Sequence, residues 1–431
     1  MKKRIFIEDL KNHIGETGLI QGFVNTVRDQ NKIVFLLVRD ITGLIQTVVL
    51  KNCPDFQVAK DMTGESVVEI TGLIKEEKQA PGGFEIEAHT ITLLSKAAPE
   101  LPIPVNAAKG GEETSSNIRF DYRWIDLRKP EKAPIFKAWT AFEKGMRDYL
   151  VPAKYLQVYT PSFMNTPSET GAEVFEVKYF EKKAYLAQSP QFYKQMAIAS
   201  GLERVFITGP VFRAELSFTT RHLTEFTGWD FEIGYVESHH DVMDEEEKMI
   251  ASGIAEVKKA LPTLDVEVPK IPFPRIPLKD AKVKLKAAGV ESEREDDLSP
   301  EEERTLCEII KKETGSDFVF VIDYPITKRP FYHMRHADNP TLTKSADLLF
   351  RGIEVTTLAQ REHHVDILEK QAIEKKMNLE ELKDYINFFR FGCPPHGGGG
   401  IGLGRFIMKL LGYDNVREVT FLPRDVNRLN P

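Results

Sequence analysis

The sequence predicts an α+β chain: a small β-barrel at the N-terminus, then a larger domain that mixes strands and helices. Three observations predict it. Residues 19–24, 33–39, 44–50, 66–74 and 84–94 are short runs of strand character, punctuated by Asp29-Gln30-Asn31, Thr42-Gly43 and Pro81-Gly82-Gly83. Five strands in so short a stretch suggest a closed barrel, with an OB-fold as the best match. Further on, Ile135, Trp139, Phe142, Met146 and Leu150 recur at helical spacing. Finally, the segment 209–232, GPVFRAELSFTTRHLTEFTGWDFE, splits by a two-residue period into unlike faces.

The elements follow in order. In the second barrel strand, Phe35 and Leu37 share one face, and Leu36 and Val38 the other. Both faces are apolar, so Phe35 is either a core residue, which composition favours, or an exposed ring. The Pro-rich and small-polar stretch from Lys96 to Ser116 reads as a hinge. The chain therefore divides into a barrel over 1–103, a linker over 104–132 and a large domain over 133–431. Pro134 suits the first turn of a helix that runs to Leu150, whose apolar stripe faces either the core or another subunit. A strand holding Leu156, Val158 and Tyr159 ends at Pro161. Strands continue to about Tyr235. Helices are expected over 241–260, 301–314 (opened by Ser299 and Glu302), 362–375 and 379–388. Strands are expected over 318–322 and 350–357, and a glycine run, a helix and a short terminal strand close the chain.

Composition sets bounds. The 431 residues allow two or three domains and an ample core. A net charge of −7 gives no global sign of nucleic-acid binding, although a local basic patch or stacking surface suffices for it. No apolar run approaches the roughly 20 residues of a membrane helix. The start, MKKRIFIEDLKNHIGE, is basic but reaches Glu8 without an apolar stretch, so no secretory signal is expected. Cys53, Cys307 and Cys393 lack ligand spacing and read as free thiols, small buried hydrophobes in a reducing cytoplasm. The charged run 291–303 reads as a solvated loop and helix start.

Four clusters carry chemistry. In segment 209–232, an extended chain would put His222, Thr224, Phe226, Gly228, Asp230 and Glu232 on one face, and Leu223, Glu225, Trp229, Phe231, Ile233 and Tyr235 on the other. With Arg213, Glu215 and Arg221 upstream, the residue types suit a nucleotide: guanidinium for phosphate, a ring for a base, carboxylate for an amine. The glycine run 397–400 leads through Ile401-Gly402-Leu403-Gly404 to Arg405 at the start of a helix. It matches neither GxxxxGK[ST] nor GxGxxG, and a tight packing turn explains it equally well. Asp347 and Glu354 lie in an apolar strand region and need either a basic partner or a hard cation, for which Mg²⁺ on a nucleotide is the natural choice. Lys194 falls on the helix that follows Pro190, where a surface lysine is the default. The pairs His239-His240 and His363-His364 lack metal spacing and read as exposed.

Together these motifs resemble the class II aminoacyl-tRNA synthetases, specifically the aspartyl-tRNA synthetases of archaeal and eukaryotic type. The helix from Pro134 with the strand to Pro161 is similar to motif 1, the dimer interface. Phe212-Arg213-Ala214-Glu215 with Arg221-His222-Leu223-Thr224-Glu225-Phe226 is similar to motif 2, and the glycine run with Arg405 to motif 3. The resemblance covers nearly the whole chain. It implies a catalytic domain over 133–431 built on an antiparallel sheet flanked by helices, preceded by an anticodon-binding OB-fold, in a cytoplasmic homodimer.

It also implies roles. Arg213 would bind the ATP α-phosphate, Glu215 the adenine amino group, His222 and Phe226 the adenine faces, and Arg221 and Arg405 the γ-phosphate. Arg213 and Arg405 would be the catalytic pair. Asp347, Glu354 and Thr357 would organise Mg²⁺, with Glu354 also an ATP contact and Thr357 also an aspartate contact. Ser168, Glu169 and Gly171 would lie in a loop that closes over the amino acid. Gln191 and Asp230 would take the α-ammonium, and Lys194 and Arg361 the β-carboxylate. Arg28, Phe35, Gln46 and Glu85 would read the anticodon, which turns Phe35 into a stacking platform.

Relatives of asparaginyl type lack a lysine at the position of Lys194, so the implied substrates are L-aspartate, ATP and tRNA(Asp), with tRNA(Asn) left open. An asparaginyl enzyme and a non-catalytic RNA-binding paralogue are the alternatives; Lys194 argues against the first and the intact ATP set against the second. Three positions depart from the family pattern: Gly404 where an acid is usual, Leu358 where a glycine is usual, and Thr170 where a glycine is usual in the closing loop. Leu358 is expected to crowd the amino-acid pocket.

Overall fold

The computed structural model describes residues 3–106, 114–167 and 173–431. They form two compact units, Met1–Ala133 and Pro134–Pro431. In the first, β1 (Thr17–Asp29), β2 (Ile33–Arg39), β3 (Leu44–Leu50), β4 (Val67–Glu76) and β5 (Phe84–Ser95) close into a barrel of order β1-β2-β3-β5-β4. Period-two burial drives the closure. Val34, Leu36 and Val38 are fully buried inside, each contributing about 1.5–3 kcal/mol, while Phe35 and Leu37 point outward and are half-buried. Helix α1 (Phe56–Lys60) lies between β3 and β4, and α2 (Ser116–Asp121) and α3 (Arg123–Asp126) complete the unit with η-turns.

The second unit is built on an eight-stranded sheet of order β12-β13-β14-β15-β16-β11-β10-β6. These strands are β6 (Leu156–Gln157), β10 (Arg204–Phe212), β11 (Glu225–Gly234), β12 (Arg275–Pro277), β13 (Phe318–Ile322), β14 (Ser345–Phe350), β15 (Ile353–Gln360) and β16 (His396–Gly402). A separate small sheet joins β7 (Phe163–Met164), β9 (Lys182–Leu186) and β8 (Glu176–Tyr179). Helices α4 (Ala133–Leu150), α5 (Gln191–Ala199), α6 (His239–Ala260), α7 (Leu278–Ala287), α8 (Pro300–Thr314), α9 (Val365–Glu374), α10 (Lys383–Arg390) and α11 (Leu403–Leu410) surround it. The core holds a stack of rings, with Phe406 4.4 Å from Phe142 and 4.9 Å from Phe350.

Several expectations are corrected. The large sheet is antiparallel only in its centre, because β6 runs parallel to β10 and β12 parallel to β13 at the edges. The strand after α4 shrinks to Leu156–Gln157. The run 350–357 is not one strand: Arg351 and Gly352, with φ of 47° and 83°, turn it into the β14–β15 hairpin. Helix α7 was not foreseen. No terminal strand forms at the C-terminus; Arg424 makes only an isolated bridge to Glu225, next to Pro423, which has no N–H to offer a ladder. Among the described residues no helix is long and apolar enough to cross a membrane.

Candidate active site

Strand β11 is the floor of the site. Trp229, Phe231 and Ile233 are buried on its core face, while Phe226, Gly228, Asp230 and Glu232 alternate onto the other. Its neighbour β16 is the glycine run, a central strand rather than a packing turn. Register sets Asp230 opposite Gly400 and Glu232 opposite Gly398. A Cβ on Gly398 would lie 2.1 Å from Phe231 O and 2.3 Å from Glu232 Oε2, so only glycine admits that carboxylate. Above this floor is a cavity of ≈ 300 Å³, and its two ends differ in chemistry.

Arginines dominate one end. Arg213 lies 3.6 Å from Glu215 and 5.6 Å from the centre of the Phe226 ring. Arg405, in the first turn of α11, donates to the carbonyls of Arg221 and Glu354 at 3.2 and 3.3 Å, and its guanidinium is 3.6 Å from the Glu354 carboxylate. Arg221 pairs at 2.8 Å with Glu303, a residue of α8 that sequence reasoning left in a solvated run. Burial, reinforced by repulsion from Glu354, pushes Glu303 up to about 7 despite Arg221. His222 precedes β11 rather than lying on it, and its ring bonds Thr219 Oγ1 at 2.6 Å. Burial and then Arg405 push it down to about 4, so it is a neutral ring at pH 7.

Lysine and carboxylates dominate the other end. Lys194 is buried on α5, not at the surface; it donates to Asp230 at 2.7 Å and to Gly399 O at 3.0 Å, and lies 3.4 Å from Glu232. Arg361 donates to Glu232 at 2.9 Å and to Gly398 O at 2.8 Å, and its third nitrogen meets His333 Nε2 at 3.0 Å. Burial alone would raise Glu232, yet Arg361 and Lys194 overcome it and hold the carboxyl below its ordinary range. Gln191 donates to Gln195, which in turn meets His396 and Tyr385. Glu232 was placed on the site face of its strand but given no role from sequence; His333, Arg329 and Tyr332 were missed, because no local motif marks them and topology brings them here.

The acids of the hairpin differ in placement. Asp347, buried on β14, accepts from Thr357 Oγ1 and pairs with Arg329, both at 2.8 Å, and does not reach the cavity lining. Glu354 does reach it. Enclosure and then repulsion from Asp347 raise its carboxyl, which makes this wall a favourable place for a cation. Leu358 does not crowd the pocket: it alternates with Thr357 and is fully buried in the core on the far side of the sheet. At Gly404 a Cβ would meet Val416 at 3.0 Å, so the departure from an acid accommodates that valine. Ser168, Glu169, Thr170 and Gly171 lie outside the described residues.

On the barrel, Arg28 is paired directly with Phe35 across β1–β2, and Gln46 with Glu85 across β3–β5. Gln46 donates to Glu85 at 2.9 Å, and Glu85 also meets Lys75 at 3.3 Å. These side chains share the outward face, so Phe35 is not a core residue. His239, expected to be exposed, is buried under the start of α6, and Cys53, Cys307 and Cys393 are unpaired, as expected.

Residues 115–426 match the family described as tRNA synthetases class II (D, K and N), and residues 19–94 match the OB-fold nucleic acid binding domain. The chain belongs to the class II aminoacyl-tRNA synthetases, in the aspartyl/asparaginyl group. Full-length similarity agrees. An Aspartate--tRNA(Asp/Asn) ligase of Aeropyrum pernix is 40% identical, with 100% of both chains covered. An Aspartate--tRNA(Asp) ligase of Thermoplasma volcanium is 40% identical over 99% of this chain and 100% of its own. Among solved structures, asparaginyl-tRNA synthetase from Pyrococcus horikoshii complexed with asparaginyl-adenylate superposes on this synthetase with a TM-score of 0.92 at 32% identity, covering 100% of both. Aspartyl tRNA synthetase from Entamoeba histolytica gives 0.86 at 34%, covering 100% of this chain and 93% of its own.

Proposed function

We propose that this synthetase activates L-aspartate with ATP to aspartyl-adenylate and transfers the aspartyl group to the 3′-end of tRNA(Asp). The observation that carries the choice of amino acid is the pair of buried cations, Lys194 and Arg361, at the closed end of the cavity. Asp230 and Glu232 balance these two cations; once Asp230 turns to the substrate α-ammonium, a β-carboxylate restores the balance, whereas a neutral amide leaves both cations sharing Glu232 alone. Asp230 and Gln191 take the α-ammonium. Phe226 and the neutral His222 flank adenine, Glu215 accepts from its amino group, and Arg221 and Arg405 hold the γ-phosphate. Arg213 neutralises the α-phosphate as the substrate carboxylate attacks it. No side-chain base is required, since the nucleophile is already ionised; positioning and charge stabilisation supply the rate.

The residues present fit Mg²⁺. Glu354 and Thr357 would hold it from the cavity wall, with Asp347 behind, bonded to Thr357. When bound, the ion would neutralise charge on the phosphates. Arg28, Phe35, Gln46 and Glu85 form the anticodon-reading face of the barrel, and the α4 region is the dimer interface. Charging of tRNA(Asn) is a second reading, favoured by the full-length Aeropyrum pernix relative.

Pyrophosphate exchange run in parallel with L-aspartate and L-asparagine tests the activation step. Exchange with aspartate alone is expected. Exchange with asparagine alone overturns the specificity, and none with either overturns the activity. Lys194→Leu should impair aspartate activation far more than ATP binding; equal loss would show that the residue is misassigned. Charging assays with both tRNAs decide the acceptor.

A further inference from the structure

Away from the cavity lining, side chains from three separate elements converge. His239 opens α6, Asp323 follows β13, and His336 lies in the segment between β13 and β14. Their ligand atoms all lie within 4.8 Å of one another. His336 Nε2 is 2.8 Å from Asp323 Oδ1, and His239 Nε2 is 3.7 Å from the same oxygen. The two imidazoles meet edge to face at 5.8 Å.

His239 is the anomaly. It is only 3% exposed, yet neither ring nitrogen has a hydrogen-bond partner. Buried polar groups are paired with few exceptions, and each exception calls for a cause. His240 lies beside it, ring centre to ring centre 4.5 Å, and Arg275 Nη1 meets His240 Nδ1 at 3.0 Å. Arg275 is itself neutralised by Asp244 and Glu247. The main chain holds the donors in place. Ser238 and Asp241 form a capping box around the start of α6, and Asp323, with φ of 64°, donates its N–H to Ser345 O at 3.0 Å.

We propose that His239, Asp323 and His336 form a binding site for a divalent transition-metal ion of the zinc type. Two imidazoles and one carboxylate suit Zn²⁺, whereas Mg²⁺ and Ca²⁺ favour all-oxygen sets. Bonds of about 2.0–2.2 Å in a tetrahedron draw the donors to within roughly 3.5 Å of each other, which side-chain rotation supplies, and water takes the fourth position. The ion ties the segment between β13 and β14 to α6. That segment also carries Arg329, Pro330, Tyr332 and His333, which line the cavity, so the metal braces one wall of the active site without entering it.

The test uses the full chain, stripped with a chelator and titrated with Zn²⁺ by calorimetry in excess Mg²⁺, with Co²⁺ as a spectroscopic probe. One Zn²⁺ per chain, a raised Tm and the absorption of four-coordinate Co²⁺ are expected. His336→Ala and Asp323→Asn (Asn tolerates the positive φ) should each weaken binding by more than the roughly 10–100-fold that loss of an outer partner costs. His363→Ala, in the other histidine pair, should leave it unchanged. Circular dichroism checks that each variant folds. Absence of saturable Zn²⁺ binding by the unaltered chain overturns the proposal. So does binding that survives both ligand substitutions, or binding that His363→Ala abolishes.

Discussion

The two ends of the cavity use the same residue types under opposite constraints. At the lysine end, Lys194, Arg361 and Glu232 are almost without solvent and are linked by short bonds to one another and to the β16 carbonyls. At the arginine end Arg221–Glu303 is short, at 2.8 Å, but the Arg213–Glu215 and Arg405–Glu354 pairs stand 3.6 Å apart, and the Arg213 side chain keeps 40% of its surface in solvent. A closed, fully bonded set holds one geometry and penalises a ligand that leaves it unpaired. An open, loosely paired set gives up its partners cheaply when phosphate arrives. The first arrangement suits discrimination between small molecules that differ by one group, and the second suits a large flexible polyanion.

The largest expected effect breaks the lysine end. Glu232→Leu strands the buried Arg361 guanidinium and takes from Lys194 one of its two acids, and should cost about 3–5 kcal/mol of stability in denaturant titrations, while Glu215→Leu at the arginine end should cost under about 1 kcal/mol. Comparable losses would erase the contrast. Next, Arg405→Leu should lower kcat/KM for ATP by about 10–100-fold, equivalent to a charged hydrogen bond of about 1.5–3 kcal/mol, with Tm little changed.

The third expectation concerns pH. Glu303 is raised to about 7, so the stability it contributes is present below the ordinary carboxyl range and is lost as pH rises through about 7. Glu303→Gln should flatten that slope between about pH 4.5 and 7 by on the order of 3 kcal/mol. Glu232 is lowered, so its contribution is present above the ordinary carboxyl range and is lost only as pH falls below it. Glu232 itself is therefore silent in the window where Glu303 titrates. The smallest effect is Gly404→Ala, whose Cβ meets Val416 at 3.0 Å and should cost about 1 kcal/mol.

Much of this was legible. The limits of β2 and β3 coincide with the apolar runs 33–39 and 44–50, because hairpin turns there are punctuated by Asn31 and Gly43. The alternation of β11 was legible from Phe226 onward, where the ladder enforces a two-residue period; before it, His222 lies in an irregular segment and the period fails. Glu303 was not legible: its neighbours are charged, and its partner Arg221 lies 82 residues away in sequence. Nor was the hairpin between Asp347 and Glu354, since Arg351 is not a residue that announces a left-handed turn. The burial of His239 depends on what packs over the start of α6, which no local pattern records.

The glycine strand β16 has a bearing on evolvability. Lys194 and Arg361 are anchored by the main-chain carbonyls of Gly399 and Gly398. No codon change deletes a carbonyl, so these acceptors cannot be lost by drift as a side-chain partner such as Glu232 can. The same strand has no room for a larger residue at Gly398, so it cannot be tuned gradually either. A lineage that shifts its substrate preference on this scaffold must change the cations or the acids and leave the backbone beneath them as an inherited constant.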